Sequence, residues 1–288
     1  MYTFGSQLSS ARGKFLAGAA ITGILLLTGC AETTETPHAA SNPFVHVHGL
    51  AAESGSTEIF VATHTGIYSV AENGEVLGPI GGNGFDAMGF AISDEAWFAS
   101  GHPGPETPGE LGSPNLGIVR SDDQGQTWAP VTFTGIEDFH ILEVNPSGAL
   151  FGIGSSSPAV RVSVDGGNTW DNRAEVFAAD IAVTAERVYA ATEQGVLVSA
   201  DEARTFETLE GAPLLYTLAA QPDGSLLGID TDSAIWSLNA GSTWNVIGSA
   251  QGVVRGLATT ADGAVLLADD RGIVRVDASG STIVWSVK

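Results

Sequence analysis

A short turn signature recurs along the chain and constrains its fold more than any other feature. Ser121-Asp122-Asp123-Gln124-Gly125-Gln126-Thr127-Trp128 and Ser163-Val164-Asp165-Gly166-Gly167-Asn168-Thr169-Trp170 are full copies. Ser237 to Trp244 keeps all but the Asp, and Ser199 to Phe206 retains Asp201 and Thr205 with Ala203 in place of glycine. In Ser-x-Asp-x-Gly-x-Thr-Trp, the Ser and Asp side chains hydrogen-bond the backbone of a tight turn. The glycine supplies positive φ, and the Trp packs between neighbouring sheets. Ser121, Asp123, Gly125, Trp128, Ser163, Asp165, Gly167, Trp170, Asp201 and Trp244 therefore read as fold staples rather than as chemistry.

The segments around these turns align with a period of about 35–45 residues, the mark of a propeller or solenoid. One slot holds His48-Gly49-Leu50-Ala51, Met88-Gly89-Phe90-Ala91, His140-Ile141-Leu142-Glu143, Asp180-Ile181-Ala182-Val183, Tyr216-Thr217-Leu218-Ala219 and Arg255-Gly256-Leu257-Ala258. Each is followed by an apolar run such as Ile59 to Ala62 or Val188 to Ala191, then by a third run such as Gly195-Val196-Leu197-Val198. Six units of four strands predict an all-β, six-bladed β-propeller. The turns resemble the Asp-box, or bacterial neuraminidase repeat. The whole chain is similar to bacterial propeller lipoproteins named as glycosylhydrolases and to photosystem II assembly-factor propellers. That resemblance implies the fold and leaves the activity open, because the box is structural and the fold hosts many functions.

The N-terminus sets the compartment. Arg12 and Lys14 precede an apolar run, Phe15 to Leu27, which ends in Leu27-Thr28-Gly29-Cys30. The run is short for a transmembrane helix and right for a secretory signal. Leu-Thr-Gly-Cys resembles the lipobox, which implies cleavage before Cys30 and acylation of its thiol. The expected organisation is a signal peptide over 1–29, a lipidated cysteine and flexible tether over 30–43, and one propeller over 44–288. This chain would then sit as a monomer on the outer face of a membrane. Thirty-three acidic residues against 11 basic ones give a formal charge of −22. That argues against nucleic acid, whose binding needs a basic footprint, and against docking on anionic lipid. With a single cysteine, no intramolecular disulfide can form.

Five of the six histidines, His46, His48, His64, His102 and His140, fall before residue 141. First strands line a propeller's channel, and the end of each second strand lies beside the start of the first. His46, His48 and His140 sit at first-strand starts, and His64 and His102 at second-strand ends, so all belong at one mouth, with Met88. The turn signatures belong at the opposite end. Imidazole with thioether suits Cu or Zn, which makes these six residues a candidate metal site. Across the mouth, Asp180, Glu193, Asp232 and Asp270, with Arg255, are candidates for carboxylate-pair hydrolysis. A long Pro- and Gly-rich excursion from Gly101 to Leu116, carrying Glu106 and Glu110, is expected over the same mouth. Sialidase chemistry would need an arginine triad and a Phe/Tyr-Arg-Ile-Pro motif, and the motif is absent. Three readings stand together: a metal- or ligand-binding propeller, a glycoside hydrolase, and a scaffold for a protein or glycan partner.

Overall fold

The protein is described by a computed structural model that covers residues 42–44, 46–53, 55–239 and 243–287. Cys30 and the signal segment lie outside these residues. The described chain forms six four-stranded antiparallel sheets, each built from four consecutive strands. Blade one comprises Val47–Ala52, Ile59–Thr63, Gly66–Val70 and Val76–Leu77, and blade two Asp86–Ile92, Trp97–His102, Ile118–Ser121 and Ala129–Thr132. Blade three comprises Phe139–Val144, Leu150–Gly154, Ala159–Ser163 and Asp171–Glu175, and blade four Ala178–Val183, Val188–Thr192, Gly195–Ser199 and Glu207–Thr208. Blade five comprises Leu215–Ala220, Leu226–Asp230, Ala234–Leu238 and Trp244–Ser249, and blade six Gly256–Thr259, Val265–Asp269, Gly272–Asp277 and Gly280–Ser286.

Second strands are packed on both faces, which is why they read as unbroken apolar runs. Ile59–Thr63, Leu150–Gly154, Val188–Thr192 and Val265–Asp269 are buried throughout. The core is divided into one apolar cluster per seam between adjacent blades. Among the described residues every blade is contiguous in sequence, so no strand is shared across the seam where blade six meets blade one. Packing holds it instead. Phe44 sits edge-on to Trp285 of blade six, with ring centroids 4.6 Å apart, and edge-on to Tyr68 of blade one at 5.9 Å. Burying a phenylalanine contributes about 1.5–3 kcal/mol. Deeper in the seam, Gly256 abuts Leu50, and a Cβ added there would lie 2.9 Å from the leucine Cγ.

The recurrent turns join third and fourth strands. In blade two, Ser121 Oγ donates to Asp123 Oδ1 (2.8 Å) and accepts from Gly125 N (2.8 Å). Asp123 also accepts from Thr127 N (2.8 Å) and Thr127 Oγ1 (2.7 Å). Blade three repeats this with Ser163, Asp165, Gly167 and Thr169. Blade four repeats it with Ser199, Asp201, Ala203 and Thr205, so the turn survives loss of its glycine. Ala203 adopts φ +62° there. In blade five Ser237 Oγ donates to Asn239 Oδ1 (3.3 Å), and residues 240–242 of that turn lie outside the described set. These turns and the histidines occupy opposite ends of the ring. Gln124 of the first turn reaches Glu53, at the far end of the first strand of blade one from His48.

One irregularity positions the mouth. In blades one to five the first strand carries a bulge against the second, at the same level each time. The unpaired residues are His48, Met88, His140, Ala179 and Tyr216. Blade six matches them with Arg255, whose N–H bonds to Ala268 O, the register partner of Gly256. A bulge breaks the alternation of faces and re-aims the side chain it carries. Two residues before each bulge stands a second ring: His46, Asp86, Asp138, Phe177, Leu214 and Val253.

Candidate metal centre

The four imidazoles do not meet at one point. They divide into two pairs, each gathered on a carboxylate of the second ring. His48 Nε2 lies 3.0 Å from Asp86 Oδ1 and His64 Nδ1 lies 2.8 Å from Asp86 Oδ2, so the pair from blade one grips a carboxylate from blade two. His102 Nε2 lies 3.3 Å and His140 Nε2 2.6 Å from a single oxygen, Asp138 Oδ2. In each trio one ligand atom per residue falls within 4.8 Å of the others, close enough to share one ion. The trios adjoin, because Asp86 and His102 are register partners across blade two.

Burial pushes the Asp86 carboxyl up, but hydrogen bonding and charge from His48 and His64 more than offset it, leaving it below its ordinary value. The His48–Asp86 contact is short at 3.0 Å but lacks hydrogen-bond alignment. His48 Nε2 and Asp86 Oδ1 are both shut off from solvent, and neither has a hydrogen-bond partner among the described residues. Asp138 is likewise raised by burial and then drawn below its ordinary value by the Ser155 hydroxyl, His140 and His102.

The second trio is braced from below. Ser155 Oγ makes a short contact to Asp138 Oδ1 and lies 3.0 Å from Glu137 Oε1, so Oδ2 alone is turned to the imidazoles. Glu137 is buried and bound by Arg161 Nη1 at 2.8 Å, whose guanidinium lies over Phe133 and Phe139. His102 Nδ1 lies 3.3 Å from Pro114 O in the long excursion of blade two. The tautomer with its proton on Nδ1 donates there and turns the Nε2 lone pair to Asp138, the arrangement that orients imidazoles toward a metal. That excursion is pinned by Leu111 and Leu116, which are buried in the seam between blades one and two.

The other candidates divide between the mouth and the seams. His46 is exposed, with its ring 5.9 Å from that of His64 and its carbonyl paired to His64 N. Met88 is the bulge residue of blade two, at the position that His48 holds in blade one. Asp180 is not at the mouth. Its alignment with His48 is off by one residue, since Asp180 pairs with Ala191 as Gly49 pairs with Ala62. One residue along a strand reverses the face, and Asp180 turns into the seam with blade five. There it accepts from Leu218 N (2.9 Å) and Thr217 Oγ1 (2.7 Å). Burial lifts its pKa to about 6, against those bonds, and lifts Glu143 on the neighbouring first strand well above the usual range. Asp232 is also displaced by one, because Asp230 stands where blade one has Thr63, which puts Thr231 in the place of His64. Glu193 and Asp270 do keep that place, and Asp270 is tied to Arg255 Nη1 at 3.1 Å. Arg120, Arg161, Arg173, Arg204, Arg271 and Arg275 each pair with their own carboxylates, so none of them is left to form a triad with Arg255.

Asp86 and Asp138 were absent from the sequence-based candidates. The signal was present: each precedes its bulge by two residues, as His46 precedes His48.

No protein-family profile and no curated protein matches the sequence. Similarity to solved structures is clear in shape alone. A GH74 enzyme of Niastella koreensis is 16% identical with a TM-score of 0.52, covering 77% of this chain and 40% of its own. The chain thus spans well under half the length of that enzyme. A gluconolactonase of Xanthomonas campestris is 11% identical with a TM-score of 0.56, covering 78% and 83%. The structure described as YCF48 bound to D1 peptide is 16% identical with a TM-score of 0.45, covering 68% and 67%.

Proposed function

We propose that the mouth over blades one to three binds divalent transition metal in two adjacent centres, His48–His64–Asp86 and His102–His140–Asp138. In this reading the chain is lipid-anchored at Cys30 on the outer face of a membrane. The observation that carries the reading is the pair His48 Nε2 and Asp86 Oδ1, buried 3.0 Å apart without hydrogen-bond alignment. Leaving such groups unsatisfied is costly, and a cation between them satisfies both. Two nitrogens and one carboxylate oxygen form a donor set that suits zinc, with copper(II) as the runner-up. Replacing a thioether with a carboxylate moves the site away from copper(I). The acidic surface would concentrate cations near the mouth.

A hydrolytic use of the same centres is the second reading, and one observation favours it. Three protein ligands leave a tetrahedral ion with a free position. With His64 63% exposed, that position opens to solvent, where bound water would be activated for attack. The GH74 enzyme and the gluconolactonase show that propellers of this shape host hydrolytic chemistry, and they lend this chain no substrate. Sialosides should not be turned over, given the pairing of the arginines.

Elemental analysis of the full chain, purified in detergent and reconstituted with zinc or copper, tests the proposal. Two equivalents per chain are expected, and one after His48→Ala or His102→Ala. Retention of less than a tenth of an equivalent by the unaltered chain would overturn it.

A further inference from the structure

We infer that the groove between blades three and four is a subsite for a neutral polyhydroxylated ring, a sugar or sugar lactone, presented to the second centre. The inference rests on the metal reading above. The groove has a volume of about 290 Å³. Ser155, Ser156, Ser157 and Pro158 form one wall, and Val176, Phe177 and Ala178 the other.

The repeat explains what Phe177 is doing there. It belongs to the ring of Asp86 and Asp138, two residues ahead of the bulge. In the two preceding seams that position delivers a carboxylate to the blade before it: Asp86 to His48 and His64, Asp138 to His102. At the third seam the positions that match His48 and His64 are His140 and Ser155 of blade three; there Phe177 lines a groove with Ser155 and is 81% exposed. A large aromatic side chain left in solvent at the place of a ligand calls for an occupant.

The opposite wall specifies what kind. Ser155 and Ser156 direct their hydroxyl protons inward, to Asp138 and Glu137. Among the described residues the Ser155 oxygen takes no donor and keeps its lone pairs for a ligand, whereas Ser156 Oγ also accepts from Arg161 Nη2 at 3.3 Å. An aromatic face opposed to the exposed Ser155 acceptor matches a ring with an apolar C–H face and an edge of hydroxyl donors. An anion would meet the carboxylates of Glu137 and Asp138, and a hydrocarbon would leave the acceptor capacity of Ser155 Oγ unused. Ser155 belongs both to the groove wall and to the brace of Asp138, so a ring held here lies beside the His102–Asp138–His140 centre.

The test uses the full metal-loaded chain, with methyl β-glucoside and cellobiose as probes, followed by ligand-observed NMR titration. Metal content is measured in parallel. Binding in the millimolar range or tighter is expected. Phe177→Ala should weaken it at least tenfold, Phe177→Trp should retain it, and both variants should keep their metal. Failure of both probes with both centres filled would overturn the subsite and leave the metal reading standing. Binding indifferent to Phe177→Ala would also overturn it. An equal loss from Leu214→Ser, one blade farther on, would overturn it in favour of a larger partner on the apolar rim. If the chain takes up no metal, the reading above fails, and a Phe177-dependent titration still supports the subsite.

Discussion

His48 Nε2 and Asp86 Oδ1 face each other at 3.0 Å across the seam between blades one and two, and neither atom is aligned to bond the other. The two groups come from different blades, so only the closed ring brings them together. Their misfit gives a prediction with opposite signs in the two states of the centre. Asp86→Asn keeps the shape of the side chain and removes a buried charge that His48 is not aligned to bond. In chelator-treated protein this variant should be more stable than the parent, by up to about 1 kcal/mol. In zinc- or copper-supplemented protein it should be less stable and hold one fewer metal ion. Thermal unfolding with and without chelator reads both, and a loss of stability in both conditions would contradict the account.

Asp180 and Glu143 should make the fold lose stability as pH rises. The folded-state pKa of Asp180, about 6, lies above the ordinary 3.8 of an aspartate. Between these values the folded chain holds a proton that the unfolded chain has released. Its stabilising contribution is therefore complete below about pH 4 and lost by the time pH passes 6, amounting to about 3 kcal/mol. Glu143, raised in the same sense, adds to the slope. Asp180→Asn should flatten the melting temperature between pH 4 and 6.5 relative to the parent. Parallel profiles would show that the carboxyl is solvated.

The turn staples should matter to folding and not to metal. Trp170 stacks on Phe139 with centroids 5.3 Å apart and donates from Nε1 to Gly167 O at 2.9 Å. Trp170→Ala should cost about 2–4 kcal/mol in denaturant unfolding, and the surviving folded fraction should keep its full metal content. Asp165 and Asp201 are held near a pKa of about 2, first by Thr169 Oγ1 and by the Thr205 backbone respectively, so their contribution persists above pH 4 and fades only as pH falls toward 2. Loss of metal by folded Asp165→Ala protein would show that the two ends of the ring are not independent.

Cys30 should be the mature N-terminus and carry the membrane anchor. Each buried CH₂ of an acyl chain supplies about 0.8 kcal/mol, so two chains anchor stably. Cys30→Ala should leave an uncut precursor or release the protein in soluble form. Normal processing and unchanged membrane fractionation of that variant would rule out lipidation.

How far the site was legible depends on what each residue type reports. Histidines are rare enough in this chain to be placed by blade position, and His48, His64, His102 and His140 do lie at one mouth, opposite the turn staples. Their carboxylate partners were hidden among 33 acidic residues, where a single Asp carries little signal. Asp180 shows the converse failure. It was aligned on apolar pattern with His48, and a slip of one residue moved it from the mouth to the seam, because side chains on a strand alternate faces.

What the sequence determined by itself was the repeat: four strands per blade, six blades, and turns whose Ser, Asp and Thr bond their own backbone within a few residues. These are local interactions, and local spacing encodes them. Only the tertiary structure decided which blade's carboxylate meets which blade's imidazoles. That depends on the bulge in each first strand and on how adjacent blades pack, and both Asp86 and Asp138 meet histidines across a seam. The same packing turned one apolar position, Phe177, into the wall of a groove that shares Ser155 with the brace of the His102–Asp138–His140 trio. A residue's face is set by its register with a neighbouring strand, and register is a property of the pair rather than of either strand alone.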